Sequence, residues 1–398
     1  MAREMKETLT LGTKGSARRA GPSSRSSRMA GPLSNLYLSQ LIPALLLVVI
    51  GVITIWSASI SIPEANFVSH LAGIAIGLAA AVVVWRYDTR ALSSMTTSLF
   101  VLACVLMVLP RIPGLGYEVN GMMGWVRLGP VRFQPSEPSK IVVIFLMASA
   151  AAQYNGKIET FRDYARLCGT LLVPLLLIMT LDLGTGLVIF FIGATIIIVS
   201  GAPRTWVLLT IALIVGTAAL VVVTSMIDGL PHILKEYQLK RLTVFIDPSV
   251  DPTGDGYNLQ QAMIAVGSGG FFGKGFGNAT QALNGFVPEA QTDFVFSLFA
   301  EQFGFVGSLV LLSLFTWMIV STVLLAMRTD SMYMRLVLVG CVGMWTFQVL
   351  ENVGMCLGIM PITGIPLPFV SYGSSSMVVQ LVSVGIVQSV WRHRQKAA

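Results

Sequence analysis

Long apolar runs with few charges dominate the chain from residue 36 onward, and their lengths set the first expectation. About 18–20 apolar residues cross roughly 30 Å of hydrocarbon at about 1.5 Å per helical residue. Ten such runs can be read, over 36–58, 67–85, 92–110, 138–153, 167–182, 186–202, 205–227, 294–326, 335–358 and 372–391. The fourth, fifth and sixth are short, and the eighth is long enough to tilt or break. None alternates apolar and polar residues as barrel strands do, so the pattern predicts helices. The fold class expected is an all-α integral membrane protein of about ten transmembrane helices, with a large ordered extracellular loop, 228–293, between spans seven and eight. Within that loop Gly254-Asp255-Gly256 gives turn chemistry and leads into a helical stretch ending near Val266, suited to the membrane surface. The glycine run Gly267–Gly277 follows, where backbone can approach a ligand closely. No strand precedes these glycines, which argues against a nucleotide loop. A second outer segment covers 111–137.

Composition removes the soluble alternatives. Of 398 residues, 54% are hydrophobic and only 11% are charged, against roughly 25% charged in ordinary soluble domains. With the N-terminus inside, 18 of the 26 basic residues fall on the cytoplasmic side, and an even number of spans returns the C-terminus there. The net charge of +7 is then a topology signal, and nucleic acid is not an expected partner. The expected organisation is a disordered basic cytoplasmic tail over 1–35, a transmembrane domain over 36–391 and a cytoplasmic tail over 392–398. The first apolar run starts too late and runs too long for a cleavable signal peptide. Cys104, Cys168, Cys341 and Cys356 lie in or beside spans without paired spacing, and His70, His232 and His393 are scattered, so neither a disulfide framework nor a metal site is expected.

Charges inside a bilayer are costly and mark function by default. Glu137, Lys140, Asp182, Asp293, Glu301 and Glu351 are such charges, all toward the outer ends of spans. Glu137 and Lys140 are three apart on a helix and can pair. Asp182 precedes Leu183-Gly184-Thr185-Gly186 and either caps the next helix or lines a cavity. Glu301 and Glu351, next to Gln302 and Asn352, read as partnered packing residues. Asp293 stands where a polar loop, Pro288–Asp293, turns into a long apolar helix. There it is either a helix cap or a base whose pKa partial burial raises.

Several strings in order resemble the SEDS (shape, elongation, division and sporulation) family of membrane peptidoglycan polymerases, across about 36–391. They are Asn120-Gly121 with Trp125, Gln134-Pro135-Ser136-Glu137 with Lys140, Asp182-Leu183-Gly184-Thr185, Asp247-Pro248 with Gly256-Tyr257, Gly273-Lys274-Gly275, Thr292-Asp293-Phe294, and Pro366–Gly373. Asp247-Pro248, Gly273-Lys274-Gly275 and Gly364–Pro368 are more similar to the RodA branch than to FtsW. The resemblance implies an inverting glycosyltransferase that polymerises lipid II, the disaccharide-pentapeptide on undecaprenyl pyrophosphate, at the outer face of the bacterial cytoplasmic membrane, for elongation and shape. By that resemblance Asp293 matches the family's essential acidic residue, and Glu137 and Lys140 match a pair lining its central cavity. The mechanism expected makes Asp293 the catalytic general base, with Lys140, Arg127, Lys274, Lys240 and Arg241 the outside-facing cations for the pyrophosphate and Asp182 and Ser371 also at the substrate. It implies no certain cofactor, with a divalent cation at the pyrophosphate left open. Its implied partners are a class B penicillin-binding transpeptidase and elongation-complex membrane proteins. The alternatives are a lipid II flippase or an FtsW-like division polymerase. The chain departs from the family pattern at Thr180-Leu181, Gln291, Gly124 and Ser374.

Overall fold

The computed structural model describes residues 35–119, 122–128, 131–225 and 236–394. Residues 1–34 of the basic tail expected over 1–35, the Asn120-Gly121 string, the start of the large loop and the last four residues lie outside them. Ten long helices form where apolar runs predict them: α1 (Leu38–Ser61), α2 (Phe67–Arg86), α3 (Thr96–Val108), α4 (Ser136–Ala152), α5 (Phe161–Met179), α6 (Leu183–Val199), α7 (Arg204–Ser225), α11 (Val295–Met327), α12 (Met332–Cys356) and α13 (Ser374–Arg394). Six of them, α1, α2, α7, α11, α12 and α13, are long and apolar enough to cross a membrane by length and composition, and α3 and α6 are shorter apolar helices. Side-chain caps set several starts: Asn66 accepts from the Ser69 amide at α2, and Thr160 from the Asp163 amide at α5.

Close packing explains the small residues. A Cβ on Gly385 of α13 would stand 2.6 Å from the Ala81 carbonyl of α2, so these helices approach backbone to backbone. The centre of the bundle is α4, whose Val143, Ile144, Leu146, Met147 and Ala148 are fully buried, as befits a helix apolar on every face. Buried Trp345 of α12 donates to Gln380 of α13, which donates to Gln348, so amides tie the two helices inside the apolar core.

The outer segment after α3 is not helical. It forms an antiparallel sheet of β1 (Gly116–Val119), β2 (Met122–Leu128) and β3 (Val131–Phe133), which adds a strand element to the all-α expectation. Its strands are three to seven residues long, too short to register beside the apolar spans. The sheet leads directly through Gln134 and Pro135 into α4. The large loop holds α8 (Glu236–Ile246), α9 (Asp255–Ser268) and α10 (Thr280–Leu283).

The long eighth run is one helix broken at its tenth residue. Thirty-three helical residues would extend about 50 Å, well beyond the hydrocarbon thickness. At Gly304 the backbone adopts φ 66° and ψ −162°, open to glycine alone. The break frees carbonyls and amides, and the Gly267–Gly277 run takes them up. Lys274 and Gly275 donate their amides to Glu301 and Gln302, while Phe305 and Val306 donate to Gly270 and Phe271. The glycines thus allow approach to α11, since a Cβ on Gly273 would stand 2.1 Å from the Gln302 carbonyl. Gly304→Ala should destabilise the protein by at least about 1–3 kcal/mol, because its Cβ would meet the Gly273 nitrogen at 2.3 Å. Thermal unfolding in detergent checks this, and an unchanged midpoint would refute it.

Candidate functional site

Asp293 ends a tight turn in which Glu289 sits at φ 53° and its carbonyl accepts from the amides of Thr292, Asp293 and Phe294. Side chains close the turn as well, with the Thr292 hydroxyl 2.8 Å and the Gln291 amide 3.3 Å from Glu289 Oε2. Three consecutive carbonyls leave this turn, two for the segment between α12 and α13 and the third for α12 itself. The Gln291 carbonyl accepts from the Tyr372 amide at 2.8 Å, that of Thr292 from the Ser371 hydroxyl at 2.6 Å, and that of Asp293 from Asn352 Nδ2 at 2.6 Å. Asn352 Nδ2 also donates to the Ile365 carbonyl at 2.8 Å. The Asp293 carboxyl rests over Gly364, whose φ is 73°, and Oδ2 lies 3.1 Å from where a Cβ there would stand.

Burial pushes the half-buried Asp293 carboxyl up to about 7. The neighbouring charge of Glu289 adds to the rise, Arg241 opposes it, and Asp182 adds a smaller push. A carboxyl poised near neutrality is suited to proton transfer. Arg241, on α8, reaches toward the same place: Nη1 lies 3.5 Å from the Thr363 carbonyl and Nε 3.8 Å from Asp255. Glu351, fully buried one residue before Asn352, accepts from the Thr363 hydroxyl. Asp182 caps α6, with its carboxylate 3.0 Å from the Thr185 amide and 2.6 Å from its hydroxyl. The α6 start packs on the same loop, since a Cβ on Gly184 would stand 2.8 Å from the Thr363 carbonyl. Asp182, Arg241, Glu351 and Asp293 therefore converge around residues 363–365.

The other expected site residues divide. Glu137 and Lys140 form a 2.7 Å ion pair at the start of α4, both almost wholly buried. A small pocket lined by Gln134, Ser136, Gly124 and Asp182 adjoins that helix start. Lys274, expected at a pyrophosphate, instead pairs with Glu301 at 2.6 Å and donates to Thr280. The Glu301 carboxylate also accepts the amides of Gln281 and Ala282, so this pair fastens the glycine loop and α10 to α11. Lys240 pairs with Asp251 at 3.0 Å and keeps Asp251 below the usual carboxylate range. Arg127 is exposed on β2, its guanidinium 6.0 Å from the Tyr117 ring centre. The Ser371 hydroxyl, expected at the substrate, is used on backbone, donating to Thr292 and accepting from the Leu367 amide. Sequence reasoning named Asn352 only as a neighbour of Glu351 and Gly364 only within a family-like string, and placed neither of them, nor Thr363, at Asp293. The available signal was an amide next to an acid in the outer part of an apolar span. Among the described residues no group of three or more His, Cys, Asp or Glu stands together to hold a metal.

A family model described as FTSW_RODA_SPOVE, Cell cycle protein, matches residues 38–396. Stage V sporulation protein E of Bacillus subtilis is 33% identical, covering 89% of this chain and 97% of that protein. Peptidoglycan glycosyltransferase MrdB of Escherichia coli is 33% identical, covering 90% and 94%. Among solved structures, a chain from work on the structural coordination of polymerization and crosslinking by a peptidoglycan synthase complex superposes with a TM-score of 0.75 at 30% identity, covering 90% of this chain and 98% of that one. The rod shape determining protein RodA of Thermus thermophilus superposes with a TM-score of 0.64 at 27% identity, covering 90% and 97%. With the family model spanning nearly every described helix and these relatives matched over almost their whole length, the chain belongs to the FTSW_RODA_SPOVE family of multi-pass membrane proteins.

Proposed function

We propose that the protein is a peptidoglycan glycosyltransferase that polymerises lipid II into glycan strands at the outer face of the bacterial cytoplasmic membrane. The observation that carries the reading is the Asp293 carboxyl, raised to about 7 at the junction of the large loop and α11 and held in place by its backbone. Relatives named as peptidoglycan glycosyltransferases agree with it. In this reading Asp293 takes the proton from the acceptor sugar hydroxyl as that oxygen attacks the donor's anomeric carbon. The bond to the lipid pyrophosphate breaks with inversion, and the pyrophosphate leaves with the electron pair. A positioned base supplies about 10²–10⁴-fold, so alignment and cationic stabilisation of the leaving group supply the rest. Among the described residues Arg241 is the cation placed for that role, since its charge opposes the rise at Asp293. Asp182 lines the pocket at the start of α4, and the buried Glu137–Lys140 pair stands in the first turn of that helix, next to the pocket-lining Ser136.

Residues 36–391 are the working domain, with both termini cytoplasmic. Its partner is a class B penicillin-binding transpeptidase, in line with the peptidoglycan synthase complex among the structural relatives. Stage V sporulation protein E, MrdB and FtsW relatives all stand at 33% identity, so the elongation assignment rests on the motifs at 247–248, 273–275 and 364–368. Purified protein in vesicles, supplied with its transpeptidase partner and radiolabelled lipid II, should yield glycan polymer. Movement of labelled lipid across the bilayer without polymer would replace this reading with a flippase. Complementation of elongation-depleted and division-depleted rod-shaped cells separates the branches, with rescue of width and length control expected in the first.

A further inference from the structure

We infer that Asn352 is a positioning residue for Asp293: its side-chain amide locks the base-bearing turn to the loop that shapes the floor beneath the carboxyl. The inference rests on the assignment of Asp293 as the base. A carboxamide nitrogen carries two hydrogens, and Asn352 places one on each side of the junction, 2.6 Å from the Asp293 carbonyl and 2.8 Å from the Ile365 carbonyl. Asn352 is fully buried, so neither carbonyl has bulk water to turn to if the amide is lost. Ile365 follows Gly364, the residue over which the Asp293 carboxyl rests. One side chain therefore fixes both the base and the surface it stands on.

The surroundings show that this turn needs holding. Glu289 and Phe369, neither a glycine, have φ of 53° and 63°, and Gly364 has φ 73°. Such conformations persist where neighbouring contacts over-determine them. Ser371 supplies a second fastening, bridging the Thr292 carbonyl and the Leu367 amide, and the Tyr372 amide supplies a third at Gln291. Fastened at three successive carbonyls, the chain before α11 has little freedom to swing, and the carboxylate direction follows from it. Asn352 differs from the other two in reaching the reacting residue itself, and it comes from the interior of α12, the more rigid element.

The test uses full-length protein reconstituted with its transpeptidase partner and measures lipid II polymerisation in Asn352→Leu, which keeps the side-chain size but cannot donate. The expected result is a fall in kcat of about 10²-fold, with KM within about twofold of the parent. Amide hydrogen exchange should accelerate in 289–294 and 363–367 and stay at parental rates in the rest of the bundle. A parental kcat in Asn352→Leu overturns the inference. If that variant loosens the whole bundle, Ser371→Ala decides, because it removes a single hydroxyl that joins the same two segments, through the Thr292 carbonyl and the Leu367 amide. A fall in its kcat with KM held supports the clamp, and a parental kcat overturns it. Asp293→Asn, run alongside, keeps the two readings apart: activity retained there sinks the assignment of the base, whereas an inactive Asp293→Asn beside an unimpaired Asn352→Leu sinks only the clamp.

Discussion

Asp293→Asn is expected to lower kcat by about 10²–10⁴-fold while raising the melting temperature at pH 8. Both effects follow from one fact, that the folded protein holds this carboxyl near 7 against an ordinary value of 3.8. A base works in its ionised form, so parental kcat should climb as pH rises through about 7, and the variant should show no such limb. The stability effect has the opposite sign. The folded state binds the Asp293 proton more tightly than the unfolded chain, so the stability it lends is fully present below about 3.8 and is lost as pH rises to about 7. Above that pH the folded protein bears the cost of a poorly hydrated carboxylate close to Glu289. Allowing for the partial exposure of the side chain, this amounts to about 1–4 kcal/mol. Asparagine bears no such cost, so its thermal advantage in detergent should be largest at pH 8 and vanish near pH 4. A variant that is inactive and also less stable at pH 8 would show that Asp293 is held for structure, and the assignment as base would fall.

The same residue illustrates how far the chain could be read in advance. Helix positions were legible because hydrocarbon imposes a length and an apolar composition, which α1, α2, α11, α12 and α13 meet within a few residues. Asp293 was legible because a carboxylate where a polar loop becomes an apolar helix is costly. What sequence spacing does not encode is which cation meets which anion across the loop. Lys274 and Arg241 looked equivalent as outer cations, yet Lys274 is taken by Glu301, 27 residues away, whereas the charge of Arg241 acts on Asp293. Glycines carry the same ambiguity. A run that permits close backbone approach does not say to what, and here the answer is the broken turn of α11 at Gly304, not a ligand. The short strands of 116–133 escaped notice because their pairing depends on partners across the sheet and lends little apolar periodicity. Asn352 escaped because an amide inside an apolar helix gains its meaning only from the two carbonyls it meets.

Glu137→Ala should be the most destabilising single change in the bundle core, at about 3–5 kcal/mol. Lys140 is 1% exposed and Glu137 3%, and among the described residues the 2.7 Å contact with Glu137 is what neutralises the ammonium. Truncating the carboxylate strands a positive charge inside an apolar helix packed on every side, whereas removing both charges strands none. The double variant Glu137→Leu/Lys140→Met should therefore recover most of the parental melting temperature, since well-packed apolar replacements of a buried pair are often neutral or stabilising. Turnover separates structure from function at this point. Among the described residues Glu137 Oε2 and the Ser136 hydroxyl have no hydrogen-bond partner, and Ser136 opens onto the pocket shared with Gln134 and Asp182. A pair maintained only to fold the bundle would leave no spare acceptor there. The double variant is expected to fold, to melt within a few degrees of the parent, and to polymerise lipid II at least about tenfold more slowly, the loss of roughly one charged contact in the transition state. Parental turnover in a stable double variant would reduce Glu137 and Lys140 to a structural ion pair and leave the substrate's approach to Asp182, Arg241 and Asp293.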